Sequence, residues 1–330
     1  IIPLRKAISM YGADTIRLVV LSTAELLQDA DFSDSLAKSI REHLKSFYMM
    51  ILEMLSNIKQ GSDIKEFSLI DRWMLHRLQQ LIARTTLAMD NMRYREALHL
   101  ILYSFKEDLS WYQRRSTSSI AKSKVLRQVA ETLVRLLAPF APHICEELWE
   151  KMGFSGYVSL ASWPAVNPSL LDFKAEVSEY LVKTVIEDTT EILKVTGIQP
   201  KGIYYYVSPQ WHWQIYNEVL KLSKEKRLDT RTVIRQLMAL PEVRIKDKEA
   251  AKVIQRIIQH VQSMSPEIVE AISQAGTLDE YSILAENLSF ISSVFKCSVQ
   301  VFKCDDPHLY DPRGKSQQSL PLKPAIYVES

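Results

Sequence analysis

Cysteine is scarce in this chain: Cys145, Cys297 and Cys304 are all it has in 330 residues. Three thiols cannot build a disulfide scaffold, and their rarity fits a reducing compartment. Cys297 and Cys304 lack a second ligand pair at metal-binding spacing, so no metal site is expected. Glycine is nearly as rare, at 8 residues. Long stretches therefore run without a breaker, which disfavours a sheet built on Gly-rich turns and favours helices. Charge of one sign is not in excess either, with 41 basic against 39 acidic residues. Bulk charge thus excludes a uniformly basic nucleic-acid binder, and any such role must rest on local clusters. No apolar run reaches transmembrane length. The first residues carry no signal pattern, so a cytoplasmic location without membrane contact is the expectation. No Ser/His/Asp or paired-carboxylate constellation stands out, and no catalytic residue is assigned.

What is present is helical periodicity. The hydrophobic content of 47% over 330 residues is enough for two cores. Residues 1–30 read as a connector of two short helices, with Asp14 as the N-cap of the second. Ser33 or Asp34 opens the first long helix, whose stripe is Leu36, Ile40, Leu44, Phe47, Met50/Ile51 and Met54/Leu55. Ser68 and Asp71 form a capping-box variant before a stripe of Trp73, Leu75, Leu78, Leu81/Ile82 and Leu87. A third helix is expected from Tyr94 to Tyr112 and a fourth from Ile120 to Met152, kinked by Pro139 and Pro142. Short connections make neighbouring helices antiparallel, as in a bundle. Gly153 to Pro168 reads as irregular strand and turn, and Phe173 to Val195 as a linker helix. Beyond Gly197 the pattern changes to α+β. Strands are expected at Ile203–Val207, Ser298–Phe302 and Ala325–Val328, with helices at 211–227, 230–240, 248–264 and 266–290.

Three segments carry a family resemblance: Tyr11-Gly12-Ala13-Asp14-Thr15-Ile16-Arg17, Asp71-Arg72-Trp73-Met74-Leu75, and Leu137-Ala138-Pro139-Phe140-Ala141-Pro142-His143-Ile144 running on to Trp149. Together and in this order they resemble the class I aminoacyl-tRNA synthetases of the leucine, isoleucine, valine, methionine and cysteine group. The tail Leu320 to Glu329 and the segment Trp111-Tyr112-Gln113-Arg114-Arg115 are similar to the archaeal and eukaryotic cytosolic leucyl branch. The resemblance implies a mainly α fold: connector helices over 1–30, an anticodon-binding-type helix bundle over 31–165, a linker helix over 166–196, and a small α+β tRNA-binding domain over 197–330. In that family the segment like Ile2-Pro3-Leu4 follows the KMSKS loop, so the chain is expected to be the back third of an enzyme. Neither the HIGH nor the KMSKS signature is present. The resemblance implies ATP and Mg2+ for the full enzyme, with no cofactor in this chain, and as partners leucine tRNA and the catalytic domain, in a monomer. A valine enzyme would show a heptad-repeat arm and an isoleucine enzyme often a cysteine-rich zinc module; neither pattern occurs. A stand-alone tRNA-binding module is the remaining alternative.

Trp111 to Arg127 holds Arg114, Arg115, Lys122, Lys124 and Arg127 with no acidic residue, a set able to neutralise backbone phosphates. Trp111 itself is expected in the core, since it falls on an apolar helical stripe. From Lys201 to Met264 there are 12 basic and 6 acidic residues, followed by five acids and no base up to Phe290. This polarisation suits a polyanion on one side. The candidates there are Lys201, Arg227, Arg231, Arg235, Lys246 and Lys252. The resemblance adds Ile326, Tyr327 and Glu329 as the part that meets the tip of the long variable arm. Tyr204 to Tyr206, Trp211, Trp213 and His143 are expected mostly as packing residues.

Overall fold

A computed structural model describes residues 3–23, 32–56, 66–117, 119–224, 233–234, 237 and 247–330, the side chains of 247–249 excepted. It divides into two compact units, Ile1–Leu171 and Asp172–Ser330. Among the described residues no helix is long and apolar enough to cross a membrane, and no group of three His, Cys, Asp or Glu could hold a metal.

The first unit is a helix bundle: α1 (Leu4–Tyr11), α2 (Ala13–Thr23), α3 (Asp34–Ser56), α4 (Leu69–Asp90), α5 (Tyr94–His99), α6 (Phe105–Arg115), α7 (Ile120–Leu137) and α8 (Pro142–Lys151). The stripe expected on α3 is buried at Ile40, Leu44, Phe47, Ile51 and Met54. Ser33 Oγ accepts from the Leu36 amide at 3.2 Å, capping the helix as expected. Ser68 and Asp71 form the capping box of α4, each side chain accepting the other residue's amide. Leu87, expected on the buried stripe, is exposed. The single helix expected from Tyr94 to Tyr112 is interrupted by a π turn, Leu100–Ser104, between α5 and α6. The expected fourth helix is two helices, because Pro142 sits at the first position of α8, where its missing N–H costs nothing. The expected strand near 153–168 is absent; short 3-10 turns occupy Val158–Leu160 and Pro168–Leu170.

Asp14 corrects a simple capping expectation. It lies inside α2, and its buried carboxylate caps α8 instead. It accepts from the Ile144 amide at 2.8 Å, the His143 amide at 3.3 Å and His143 Nδ1 at 2.7 Å. Arg17, one turn further along, donates to the Pro139 and Phe140 carbonyls at 2.8 and 3.0 Å. The orphan amides of one helix start and the carbonyls of the preceding turn are thus satisfied from a single neighbouring helix. His143 is a correction too: its side chain is 73% exposed, hydrogen-bonded rather than packed.

The second unit contains α9 (Phe173–Thr196), β1 (Gly202–Val207), α10 (Gln210–Lys224), α11 (Asp247–Ser263), α12 (Pro266–Ala275), α13 (Glu280–Phe295), β2 (Ser298–Lys303) and β3 (Ala325–Glu329). The helix taken as a linker belongs here, since Val177, Leu181 and Val185 of α9 are part of this core. The helix expected over 266–290 is two helices, parted at Gly276, whose φ of 71° ends α12 in a conformation that favours glycine. The strand order is β2-β1-β3, β1 running parallel to β2 and antiparallel to β3. Period-two alternation sends Ile203, Tyr205 and Val207 into the helical core. Tyr204, Tyr206 and Ala325 go to the other face, joined there by Phe302 and Tyr327.

Candidate nucleic-acid interface

The basic stretch Trp111 to Arg127 spans the end of α6 and the start of α7, and the fold sorts its cations into different tasks. Arg114 and Arg115 hold their guanidinium carbons 5.6 and 5.8 Å from the Trp111 ring centre, within cation–π range. The ring is half-buried, so Trp111 is not the core residue expected. Tyr112 is, fully buried, its hydroxyl donating to Asp71 Oδ1 at 2.6 Å. The π turn explains the slip: 3.6-residue steps from Ala97 arrive at Trp111, but the wider turn uses extra chain and moves the buried position to Tyr112.

Lys122 faces inward. Its ammonium donates to the carbonyls of Ser116 at 3.2 Å and Gln113 at 3.5 Å, closing the C-terminal end of α6. Burial lowers its pKa, with the Asp71 charge opposing. Two residues along a helix is a turn of roughly 200°, and Lys124 accordingly lies elsewhere. With Arg127, Gln128 and Arg135 of α7 and Gln79 of α4 it lines a hollow of about 430 Å³. Arg127 lies 5.7 Å over the Phe154 ring. The five cations are therefore not one patch: Arg114 and Arg115 share an indole, Lys124 and Arg127 share a hollow, and Lys122 caps a helix.

In the second unit Lys201 and Lys252 are exposed. Arg227, Arg231, Arg235 and Lys246 lie outside the described residues. The expected polarisation is reduced in part, because Lys224 pairs with Glu270 at 2.6 Å and Glu280 is interior. Ile326 shares a groove of about 720 Å³ with Val195 of α9, Arg256 of α11 and Lys323. Tyr327 points to the opposite face. There its ring is near-parallel to Tyr204 at 5.7 Å, and Tyr204 to Phe302 at 6.4 Å, a row of rings across three strands. Arg313 holds its guanidinium carbon 5.9 Å from Tyr327. Glu329 accepts from the hydroxyls of Tyr204 at 2.9 Å and Tyr310 at 3.4 Å. That hydrogen bond to Glu329, ahead of burial, pushes Tyr204 up to about 12. Sequence reasoning missed Arg313 and Tyr310, which come from the long turn before β3 and carry no periodic signal, and Phe302, which the strand register sets opposite Tyr206.

A family model described as "Anticodon-binding domain of tRNA ligase" matches residues 71–205. The leucine–tRNA ligase of Methanosarcina acetivorans is 39% identical over 329 residues, covering all of this chain and 34% of that protein. That of Pyrococcus abyssi is 37% identical over 326 residues, covering 98% of this chain and 31% of that protein. The chain thus spans about a third of the length of the curated relatives it matches. Among solved structures, the ternary complex of Agrobacterium radiobacter K84 agnB2 LeuRS, tRNA and LeuAMS aligns at a TM-score of 0.45 and 20% identity. That alignment covers 75% of this chain and 27% of the other. The chain belongs to the leucine–tRNA ligase family of class I aminoacyl-tRNA synthetases, and corresponds to the C-terminal region of its archaeal members.

Proposed function

We propose that this chain is the tRNA-holding part of a leucine–tRNA ligase, recognising tRNA shape and the long variable arm of leucine tRNA. The observation that carries the reading is the β3 edge. Among the described residues β3 is an edge strand, hydrogen-bonded within the sheet to β1 alone. Tyr327 is half-buried there beside Arg313. An unpaired base stacks on such a ring, and its edge is met by strand amides and carbonyls, a mode proteins use for single-stranded RNA. Phosphates near this edge are met by the exposed Lys201 and Lys252, and the bundle by itself offers further cations to the backbone, Arg114, Lys124 and Arg127 exposed and Arg115 half-buried. Family membership points to the same nucleic acid. On this reading the complete protein is a cytoplasmic monomer that charges tRNA with leucine using ATP and Mg2+. The residues of this chain supply binding and orientation rather than bond making.

The test is equilibrium binding of the chain to leucine tRNA across a salt series. Six phosphate contacts give a slope of log K on log salt of about −4 to −5. Shortening the variable arm should weaken binding about tenfold or more, the loss of roughly 1.4 kcal/mol of contacts. Equal affinity for a tRNA with a short arm overturns the leucine-specific part of the reading.

A further inference from the structure

One carboxylate in the interior of the second unit is placed at a junction of three segments. Glu280, the first residue of α13, is buried, and each oxygen is engaged. Oε1 accepts from the Leu322 amide at 2.7 Å. Oε2 accepts from Trp213 Nε1 at 3.1 Å and from Ser208 Oγ at 3.2 Å. The three donors come from the residue just past β1, from α10, and from the turn that delivers β3. That turn is itself conspicuous. Leu320 and Lys323 exchange both backbone hydrogen bonds, and Leu322 between them has φ of 59°, a conformation leucine rarely adopts. Such a residue keeps its geometry only where the surroundings over-determine it. Arg256 donates to the carbonyls of Gln317 and Gln318, and among the described residues only Glu280 reaches the Leu322 amide. β3 begins at Ala325, three residues later.

We propose that Glu280 is a positioning residue for RNA recognition: it fixes the 320–323 turn and so sets where the β3 edge, with Tyr327, is presented. This rests on the reading of β3 as an RNA-contacting edge. Glu280 touches no RNA; it acts through Leu322. A carboxylate is the group the junction requires, because two N–H donors converge on it and an amide cannot accept on both ends. In E280Q the side-chain NH2 must oppose either the Trp213 N–H or the Leu322 N–H. Removing the indole N–H with Trp213→Phe relieves that conflict, since the amide can then donate to Ser208 Oγ while its oxygen still accepts from Leu322.

The experiment is a double-mutant cycle on the full chain, with E280Q, W213F and the double variant read by amide hydrogen exchange over 320–329 and by affinity for leucine tRNA. E280Q should speed exchange at Leu322 and along β3 about tenfold while leaving exchange in the bundle helices unchanged. It should weaken tRNA binding roughly three- to tenfold. The double variant should return both quantities to those of W213F alone. Unchanged exchange over 322–329 in E280Q, or no recovery in the double variant, overturns the positioning role. Wild-type chain that binds no tRNA instead overturns the RNA-binding reading, and the exchange data in the free protein still decide whether Glu280 positions β3.

Discussion

The two units use buried carboxylates in opposite ways. In the bundle, Asp14 and Asp71 serve helix starts: Asp14 accepts the His143 and Ile144 amides and pairs with the His143 ring, and Asp71 accepts the Ser68 amide and the hydroxyls of Ser68 and Tyr112. The helix-start amides favour the charge there. In the second unit Glu280 receives no such set of amides and meets donors from three separate places. Desolvation dominates and raises it to about 7, against hydrogen bonds from Leu322, Trp213 and Ser208 that lower it. The lesson is that burial alone does not set the cost of a carboxylate; what it caps does.

The sharpest way to break this contrast is Asp14→Ala. It strands two helix-start amides of α8 and should cost the bundle roughly 3 kcal/mol, read by denaturant unfolding. A loss below about 1 kcal/mol would mean that water replaces the carboxylate.

A pH series tests the other side. Glu280 binds its proton more tightly in the folded chain than in the unfolded one. Its stabilising effect is therefore fully present below about 4.5, the ordinary value, and is lost as pH rises through about 7. Glu280's own contribution should fall by roughly 3 kcal/mol at most across that window. His212 and His260, which burial holds down to about 4, give the opposite slope, so the contribution is read as the difference between wild type and E280Q. E280Q should remove that contribution and leave the steeper rise in stability with pH set by the two histidines; a variant that keeps the wild-type profile would place its origin in another group.

The cations of α6 and α7 offer a finer comparison. Lys122→Met should lower bundle stability by about 1 kcal/mol through the lost helix-end hydrogen bonds and leave the salt dependence of tRNA binding unchanged. Replacing Arg114 and Arg115 by serine should do the reverse, with stability held and the slope reduced by about 1.5. Smallest of all, Lys224→Ala breaks a surface pair with Glu270 and should change stability by less than about 0.5 kcal/mol.

The helices were legible because their partners recur at short spacing. The stripe of α3 and the capping box of α4 are local, and both were readable. What was not legible is contact across distance. Asp14 reads as a local cap because its partners, His143 and Ile144, lie some 130 residues away. The motif that marked the family at the chain start and the proline-containing motif before α8 are partners in space, so their joint presence is a packing constraint. The candidate site was legible as charge but not as arrangement. Spacing along α7 separates Lys122 from Lys124, and the roles of Arg313 and Tyr310 depend on a turn whose path follows no period.

The π turn at Leu100–Ser104 bears on how the chain tolerates changes of length. A turn with one residue to spare can give it up and close into ordinary α-helix, with the faces before and after it still in phase. Deleting one residue there should leave Tyr112 against Asp71 and both arginines beside Trp111. The same deletion inside α6, a few residues on, has no slack to draw upon. It would swing the downstream side chains by about 100°, turning Tyr112 off Asp71 and re-aiming the indole together with both arginines. The bundle thus carries a built-in splice point just ahead of the cations it presents.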